Sequence, residues 1–555
     1  MSLIEWTESQ DGDSGVDHLG MRVAGERAYS ALIDFTTTVT WRPRYLSYLC
    51  WSLREAWRSC SDGKASETMF KIDRDRWRRM LKRRDYLLAG ATLAVERGAD
   101  HIAGSIKLNK ALDSIGHDPK AMLTVAADHL MARTGSHEIY LGILRVLGLV
   151  MSAQGIDIVT ARGNALADAF QASLTQSGVA AILEADAAAR EDLERLGEVC
   201  GLYQLAPSSD GPPAVAAERR VLREQILDWS QFHAGRGPSA QRVLSIGLIL
   251  AIFQLFGRRA ELDEFRATVL LDATRFDTAV VPLALPIAYD DVRARWRCYQ
   301  AHAYATYALE ALLGVVLARA FATRAEREGV PYDALLDDVV ASMAEREASP
   351  IEPGLSHWLS QPLGQVMAAL EPIVLARREA PVVEPELYDR IASAVWGGDA
   401  EDLGAWAYDA ALLLLLSIRR LDLLGQVAPD AWIGDRDLQR QPPRRLIEHV
   451  ESAIAEGQTS AEYMRCALHE LVVRQHQRNA LRKLAADPQK FTAKLTLEQG
   501  RLIPLLPHQP GTSNPRFENA VVFLQDLGFI DRNEPMTTTP DGDALLEEIA
   551  RRSAS

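Results

Sequence analysis

Apolar side chains recur at helical spacing along most of this chain. Tyr45, Leu49, Leu53 and Trp57 follow one another at four-residue intervals, which places them on one face of a helix. Strict alternation of apolar and polar residues, typical of half-buried strands, is almost absent before residue 490. The pattern predicts a mainly α fold, with a multi-helical body and with strands confined mainly to the region after residue 488.

Segments rich in proline and glycine divide this helical pattern. The clearest is Ala206–Ala214, with three prolines in nine residues. Further breaks fall at residues 349–354, 380–385 and 428–443. The breaks predict an N-terminal helical domain, a central helical domain and a C-terminal mixed domain, at residues 1–205, 215–427 and 444–555. A stacked-helix superhelix remains an alternative, although no repeat of fixed period is visible.

The elements predicted after residue 444 are of mixed type. A long helix is expected from Ser460 to about Ala486, and Glu498-Gln499-Gly500 suits the turn of a β-hairpin. Asn514 followed by Pro515 is typical of a helix start, and Gly528 is typical of a helix end. Two short strands and a closing helix are expected next, at Phe529–Ile530, at Met536–Thr538 and from Pro540 onward.

Asn514–Arg552 is predicted to form a helix, a strand, a turn, a strand and a helix, and it contains the segments DLGFI and TPDG. This order of elements resembles the end of a winged-helix domain. Such modules bind DNA or another protein, so the resemblance implies a small C-terminal α+β winged-helix-like module. The upstream part departs from the family pattern, because a hairpin and a loop stand where two helices belong. Four arginines face eight acidic residues from Gln509 to Ser555, which favours protein contact or packing on the chain over DNA contact.

Composition is that of a soluble globular protein. The formal net charge of −14 opposes general binding of polyanions, so that any nucleic-acid surface has to be a local patch. The five cysteines are scattered without a CxxC pair, which favours a reducing cytoplasm. The N-terminal residues do not resemble a secretory signal. No apolar run reaches the roughly 20 residues of a membrane span. We therefore expect a cytoplasmic protein without a membrane span.

The strongest positive charge lies in Asp73–Tyr86, which is predicted to be an amphipathic helix. Trp77, Met80 and Leu81 gather on its apolar side. The basic residues that are candidates for nucleic-acid binding are Arg74, Arg76, Arg78, Arg79, Lys82 and Arg83. Two other interpretations stay open: a solvated surface, or contact with a membrane surface or an acidic partner.

A second basic stretch lies on the helix predicted at 460–486. Arg474, Arg478 and Arg482 repeat every four residues and share one helix face. Such a stripe can follow a phosphate backbone, and these three residues are also candidates for nucleic-acid binding. The alternatives are a solvated face and internal pairing, for example with the acidic tail.

Aromatic side chains are dense in Trp41–Trp51, beside Arg42 and Arg44. Base stacking next to phosphate-binding arginines is one interpretation, and core packing at helical spacing is the better one. This stretch, together with Gly20–Ile33, resembles uncharacterised bacterial proteins from anti-phage defence neighbourhoods. The resemblance implies a context in antiviral defence and names no activity.

No sequence motif for catalysis is present: there is no P-loop, Rossmann glycine pattern, HExxH or GxSxG. The nearest approach to a metal site is Glu462, Cys466, His469 and His476 on one helix face. The rise of 1.5 Å per residue spreads them over about 21 Å, so only neighbouring pairs could share an ion. No catalytic residue, metal site or cofactor is predicted.

These observations lead to three hypotheses. The first is a non-catalytic cytoplasmic helical protein that acts as an interaction subunit or adaptor of a larger bacterial assembly, with other protein subunits as partners and nucleic acid as a further one. The second is a DNA-binding regulator that uses the basic helix at residues 74–84 and the C-terminal module. The third is an enzyme whose site is assembled from residues distant in sequence.

Overall fold

The structure is a computed structural model of the chain. The residues it describes are 17–37, 39–60, 73–99, 102, 104–131, 135–153, 156–207, 212–229, 232, 238–271, 273–276, 279–282, 289–323, 329–346, 355, 357–375, 384–397, 402–427, 443–487, 491–511, 516–533 and 535–553. With 74% helix and 7% strand, the prediction of a mainly α fold is confirmed.

The chain folds into two compact units, each assembled from two stretches of sequence. Unit 1 comprises residues 1–30 and 261–513, and unit 2 comprises residues 31–260 and 514–555. The C-terminal 42 residues thus belong to the same unit as the second to tenth helices. The three domains inferred from the linkers stay a prediction.

Unit 2 contains eleven of the described helices and two pairs of short strands. Its helices are α2 (Arg44–Cys60), α3 (Arg74–Val95), α4 (Ser105–Ile115), α5 (Ala127–Met131), α6 (Ser136–Val146), α7 (Ala161–Gln176), α8 (Arg190–Cys200), α9 (Pro213–Leu227), α10 (Pro238–Phe256), α20 (Phe517–Asp526) and α21 (Pro540–Ser553). Its strands are β1 (Met122–Thr124), β2 (Val150–Ala153), β3 (Ile156–Val159) and β4 (Ala187–Ala189), paired antiparallel as β1–β4 and β2–β3.

Unit 1 holds most of α1, two further β-sheets and the longest helices. Its helices are α1 (Arg22–Leu32), α11 (Leu262–Leu271), α12 (Asp290–Thr323), α13 (Tyr332–Arg346), α14 (Leu363–Leu375), α15 (Glu384–Gly397), α16 (Leu403–Val427), α17 (Pro443–Ala455), α18 (Ser460–Ala467) and α19 (Arg474–Ala486). Its strands are β5 (Ala273–Phe276), β6 (Ala279–Pro282), β7 (Val330–Pro331), β8 (Leu495–Glu498) and β9 (Arg501–Pro504), in a β5–β6 pair and a β7-β9-β8 sheet.

The core of unit 1 forms where α12 packs against α16. Small and branched side chains allow this close contact, and Ala308, Leu312, Leu413 and Leu414 are fully buried. In unit 2, α3 packs on α8, and α2 and α9 both pack on α7. Because these contacts bury apolar faces spaced at three and four residues, the periodicity of the sequence fixes which side of each helix faces inward.

Two helices are long and apolar enough to cross a membrane by length and composition, at Ser239–Phe256 and Asp290–Thr323. In both, 78% of the most apolar window is buried inside the protein. Burial of this extent is consistent with the core helices of a soluble protein.

The hairpin predicted at residues 491–505 is confirmed as β8 and β9, with Glu498 paired to Arg501. Gln499 and Gly500 have positive φ values of 51° and 75°, as a two-residue hairpin turn requires. The expectation that strands lie mainly after residue 488 is wrong, because seven of the nine strands among the described residues precede it. They are two to four residues long and hardly show in the apolar pattern.

The helix predicted at 460–486 is confirmed, with one irregularity. Thr459 caps its start, and the Glu462 side chain accepts from the Thr459 N–H at 2.7 Å. Between α18 and α19, Leu468–Val473 forms a π-helix, a wider turn that changes the angular position of all residues beyond it. Glu462 and His476, which a regular helix would place on one face, therefore do not keep that alignment across this segment.

The winged-helix-like module is not confirmed by the described residues, which show the helices α20 and α21 but no two-stranded wing. Residues 529–530 and 536–538, expected as two strands, make a single bridge between Ile530 and Thr538. The proposed helix start at Asn514 and Pro515 lies outside the described residues, and the described helix begins at Phe517 after Arg516. None of the residues of α20 is exposed, so α20 does not present a free recognition face in this structure.

Glycine at position 197 allows α8 to approach α3 closely, because a Cβ atom there would overlap the Ala91 carbonyl oxygen. We expect Gly197→Ala to lower the free energy of unfolding by about 2–3 kcal/mol, since overpacking outweighs the gain in helix propensity. The matched control is Gly142→Ala in α6, where a Cβ atom meets nothing within 4 Å. That variant should be more stable by about 0.5–1 kcal/mol. Urea unfolding of both variants tests the packing, and equal effects would contradict it.

Candidate nucleic-acid interface

The first three turns of α3 carry the densest positive charge in unit 2. Asp73 caps the helix by accepting from the Arg76 N–H at 2.9 Å. Trp77 and Leu81 are buried and hold one side of the helix against the core. Because basic residues alternate with these apolar anchors at helical spacing, the guanidinium groups of Arg76, Arg78 and Arg79 are directed to the surface and are exposed.

These three arginines have no acidic partner, unlike Arg83 and Arg84 of the same helix. Within the part of the chain that the structure describes, no carboxylate lies within ion-pair distance of Arg76, Arg78 or Arg79. Arg74 is also exposed but has an interaction of its own. We call the surface formed by Arg76, Arg78 and Arg79 the α3 arginine face.

Later residues of the same helix are neutralised or buried. Arg83 donates to Asp186 at 3.1 Å and to Glu184 at 3.3 Å. Arg84 is buried against the ring of Trp51 and donates to Glu184 and to the Ser52 carbonyl oxygen, both at 2.8 Å. The positive face is therefore shorter than the seven basic residues between Arg74 and Arg84 indicated.

The prediction that Lys82 belongs to the exposed basic face is wrong, because only 6% of this residue is exposed. It lies beside Gly135, at the start of α6. A helical wheel places Lys82 with the outer residues, but it cannot show that another segment of the chain covers that side. Lys82 therefore does not contribute to the exposed face.

A cleft of about 460 Å³ opens at the foot of the α3 arginine face. Its lining residues are Ser59, Arg76, Arg79, Met80, Arg83, Leu130, Glu184 and Asp186. The lining includes the two unpaired guanidinium groups of Arg76 and Arg79 and the two carboxylates that pair with Arg83. No sequence pattern pointed to Glu184 and Asp186, which lie about a hundred residues from α3 along the chain and contact it only in the folded protein.

The second basic stripe is neutralised within its own helix. Arg474 and Arg478 both donate to Glu470, at 2.9 Å and 2.8 Å. Arg482 donates to the side chain of Asn479. The internal pairing interpretation is thus confirmed for Arg474 and Arg478, with Glu470 as the partner in place of the acidic tail.

The acidic tail pairs with basic residues of unit 2. Asp526 is fully buried between Arg42, at 3.0 Å, and Arg532. Asp541 accepts from Arg223 at 2.7 Å, and Glu518 accepts from Arg259. These contacts explain the excess of acid in the tail as a packing feature of the unit.

The aromatic stretch Trp41–Trp51 confirms the core interpretation. Tyr45, Tyr48 and Trp51 are at most 3% exposed, and Tyr48 and Trp51 pack on the ring of Phe170 at 5.8 Å and 5.6 Å between centroids. Arg44 is equally buried and pairs with Glu218 at 2.9 Å. Rings held in this way are not available to stack on bases.

The residues of the possible metal pair have other contacts. The Cys466 thiol lies 3.8 Å from His449 Nε2, and His469 Nδ1 lies 2.8 Å from the Tyr332 hydroxyl. His476 Nε2 accepts from the Lys494 N–H at 2.8 Å. Among the described residues, no three His, Cys, Asp or Glu side chains are grouped as a metal site requires.

The most enzyme-like group of titratable residues in unit 2 is Asp85 with His129 and His137. Burial raises the pKa of Asp85 and lowers the pKa values of both histidines. Asp85 accepts from the Ser136 N–H at 3.0 Å, which satisfies a free donor in the first turn of α6. This geometry accounts for the carboxylate structurally, and the enzyme hypothesis stays untested.

Comparison with known proteins identifies no relative: no family model, no curated protein and no solved structure matches this chain.

Proposed function

We propose that this protein is a non-catalytic, cytoplasmic nucleic-acid-binding subunit of a larger assembly, and that the α3 arginine face carries the binding. The observation that supports this most directly is the unpaired state of Arg76, Arg78 and Arg79. In a chain with a net charge of −14, exposed guanidinium groups without acidic partners are available for phosphates. Arginine suits this role because its planar group can donate two parallel hydrogen bonds.

Other candidate surfaces support nucleic-acid binding less well. Arg474 and Arg478 share Glu470, so that a phosphate would have to displace an existing ion pair. The regulator hypothesis also uses the C-terminal module, yet none of the residues of α20 is exposed. The proposal therefore keeps the basic helix of the regulator hypothesis and assigns the C-terminal helices a packing role within unit 2.

Loss of the α3 arginine face should weaken binding to duplex DNA. We expect the triple variant Arg76→Gln/Arg78→Gln/Arg79→Gln to bind about tenfold to a hundredfold more weakly at moderate salt, since each lost phosphate contact removes a charge-assisted hydrogen bond. Fluorescence anisotropy with a labelled duplex measures the change. All three side chains are exposed, so circular dichroism should show unchanged folding.

The matched control is Arg474→Gln/Arg478→Gln, which removes two exposed arginines that Glu470 already neutralises. It should bind duplex DNA nearly as well as the wild type. If the control loses binding and the triple variant keeps it, the assignment to α3 is wrong. If the wild type does not bind at low salt, the nucleic-acid proposal falls.

A role as a protein adaptor is the second candidate, and exposed apolar side chains favour it. In unit 2, Ile106 of α4 is 75% exposed and Met131 of α5 is 80% exposed. A salt bridge of 2.9 Å between Lys107 and Asp128 joins the same two helices. Exposed apolar side chains occur at surfaces that bind another protein. The resemblance of residues 20–33 and 41–51 to bacterial defence proteins gives this candidate its context.

A further inference from the structure

We propose that the cleft at the foot of the α3 arginine face binds one nucleoside monophosphate, either free or as the end of a single strand. The phosphate would lie at Arg76 and Arg79, and the base would face Glu184 and Asp186. This inference deepens the proposed function, since it rests on the same arginines and adds the ligand that the cleft accepts.

The size of the cleft sets the first limit on the ligand. Its volume of about 460 Å³ is within the range of roughly 300–1,000 Å³ that is usual for sites of small molecules. A duplex cannot enter a space of this size, because its major groove alone is about 12 Å wide. One nucleotide can enter the cleft, whereas a duplex would bind on the exposed side of α3.

The charges of the lining residues set the second limit. Arg76 and Arg79 offer donors without partners. Asp186 and Glu184 pair with Arg83, yet the side chain of Asp186 is 92% exposed and that of Glu184 is 42% exposed. Carboxylates repel a second phosphate but accept hydrogen bonds from amino groups, as they do from N4 of cytosine. The cleft therefore fits a ligand that carries both an anion and N–H donors.

Apolar contacts complete the match. Met80 and Leu130 line the cleft and are half-buried, so each can contact the flat face of a base while staying anchored in the fold. A methionine thioether packs favourably on aromatic rings. Inorganic phosphate or a simple polyphosphate would use the arginines and leave these contacts and the carboxylates unused.

The test titrates the full-length protein with CMP, UMP and inorganic phosphate by isothermal titration calorimetry. We expect CMP to bind about tenfold more tightly than UMP, because cytosine presents an amino group to the carboxylates and uracil does not, and phosphate to bind more weakly than either. A 5′-phosphorylated oligo-dC should outcompete the duplex of equal length if the cleft receives strand ends. If CMP binds tightly but the oligo-dC does not outcompete the duplex, the cleft binds free nucleotides and not strand ends.

Two pairs of variants separate this inference from the proposed function. Asp186→Asn should abolish the preference for CMP over UMP and leave duplex binding intact, whereas Asp192→Asn, an exposed acid of α8 paired with Arg195, should change neither. Arg76→Gln/Arg79→Gln should weaken CMP binding about tenfold or more. Equal affinities for CMP, UMP and phosphate, or CMP binding that survives loss of both arginines, would overturn the inference. If either result is found and the wild type still binds duplex DNA, the inference about the cleft is wrong but the proposed function is not contradicted.

Discussion

Glu218→Ala is expected to lower the free energy of unfolding of unit 2 by about 3–5 kcal/mol, because it leaves the charge of Arg44 buried without a partner. Both side chains are completely buried. Arg44 donates to the two oxygens of Glu218 at 2.9 Å and 3.3 Å, and Ser47 and Ser173 donate to the same carboxylate. The other hydrogen bond of Arg44, to the Gly201 carbonyl oxygen at 2.8 Å, cannot compensate its positive charge as a carboxylate does.

Urea unfolding of the variant measures this loss. Asp192→Ala is the matched control, since it removes an acid from an ion pair whose two side chains are 58% and 40% exposed, and pairs of this kind contribute little. A double replacement, Arg44→Met/Glu218→Leu, should recover part of the stability, because no buried charge remains. Equal effects of Glu218→Ala and Asp192→Ala would show that the buried pair does not organise α2, α7 and α9.

Acidification from pH 7 to pH 5 is expected to destabilise unit 1 by an amount on the order of 5 kcal/mol. Three histidines are buried there and His18 is half-buried: burial lowers the pKa of His18 to about 2, of His508 to about 3, and of His302 and His476 to about 4. The unfolded chain takes up protons below about pH 6.5, whereas the folded chain keeps these rings neutral until about pH 4. Stability is therefore complete above pH 6.5 and is lost as the pH falls.

The surroundings of these rings explain why they stay neutral. His18 lies edge-on to His508 at 4.8 Å and close to His476 at 5.7 Å between ring centroids, so that one protonated ring would repel the others. The Lys494 N–H donates to His476 Nε2, which requires that nitrogen to be unprotonated. The buried Glu310 opposes the trend, because burial raises its pKa and the folded state binds its proton more readily.

Chemical unfolding at several pH values tests this expectation. His302→Gln should flatten the dependence of unfolding free energy on pH by removing one of the four rings. Exposed His117 provides the control, and His117→Asn should leave the slope unchanged. A stability that is constant from pH 7 to pH 5 would contradict the burial of neutral histidines.

The fold was predictable where the causes are local. The helices α2 and α3 and the long helix at 460–486 follow from three- and four-residue spacing of apolar side chains, and the β8–β9 hairpin follows from Gln499-Gly500. The short strands β1 and β4 were not predictable, because each is three residues long and they pair across more than sixty residues. The two-stranded wing predicted in the C-terminal module was wrong, since among the described residues only Ile530 and Thr538 pair there.

The candidate site was predictable only in part, for the same reason. Charge density along α3 pointed to Arg76, Arg78 and Arg79. Sequence alone could not show that Arg83 is neutralised by Glu184 and Asp186. It also could not separate this helix from the stripe at Arg474 and Arg478, where one acid at a distance of four and eight residues removes the free charge.

The salt dependence of duplex binding tests the central claim most directly. Each neutralised phosphate contributes about −0.9 to the slope of log K against log salt concentration. The triple variant of Arg76, Arg78 and Arg79 should therefore have a slope shallower than that of the wild type by about two to three units. The slope of the Arg474→Gln/Arg478→Gln control should stay close to that of the wild type. Equal slopes for the wild type and the triple variant would contradict the assignment of phosphate contacts to the α3 arginine face.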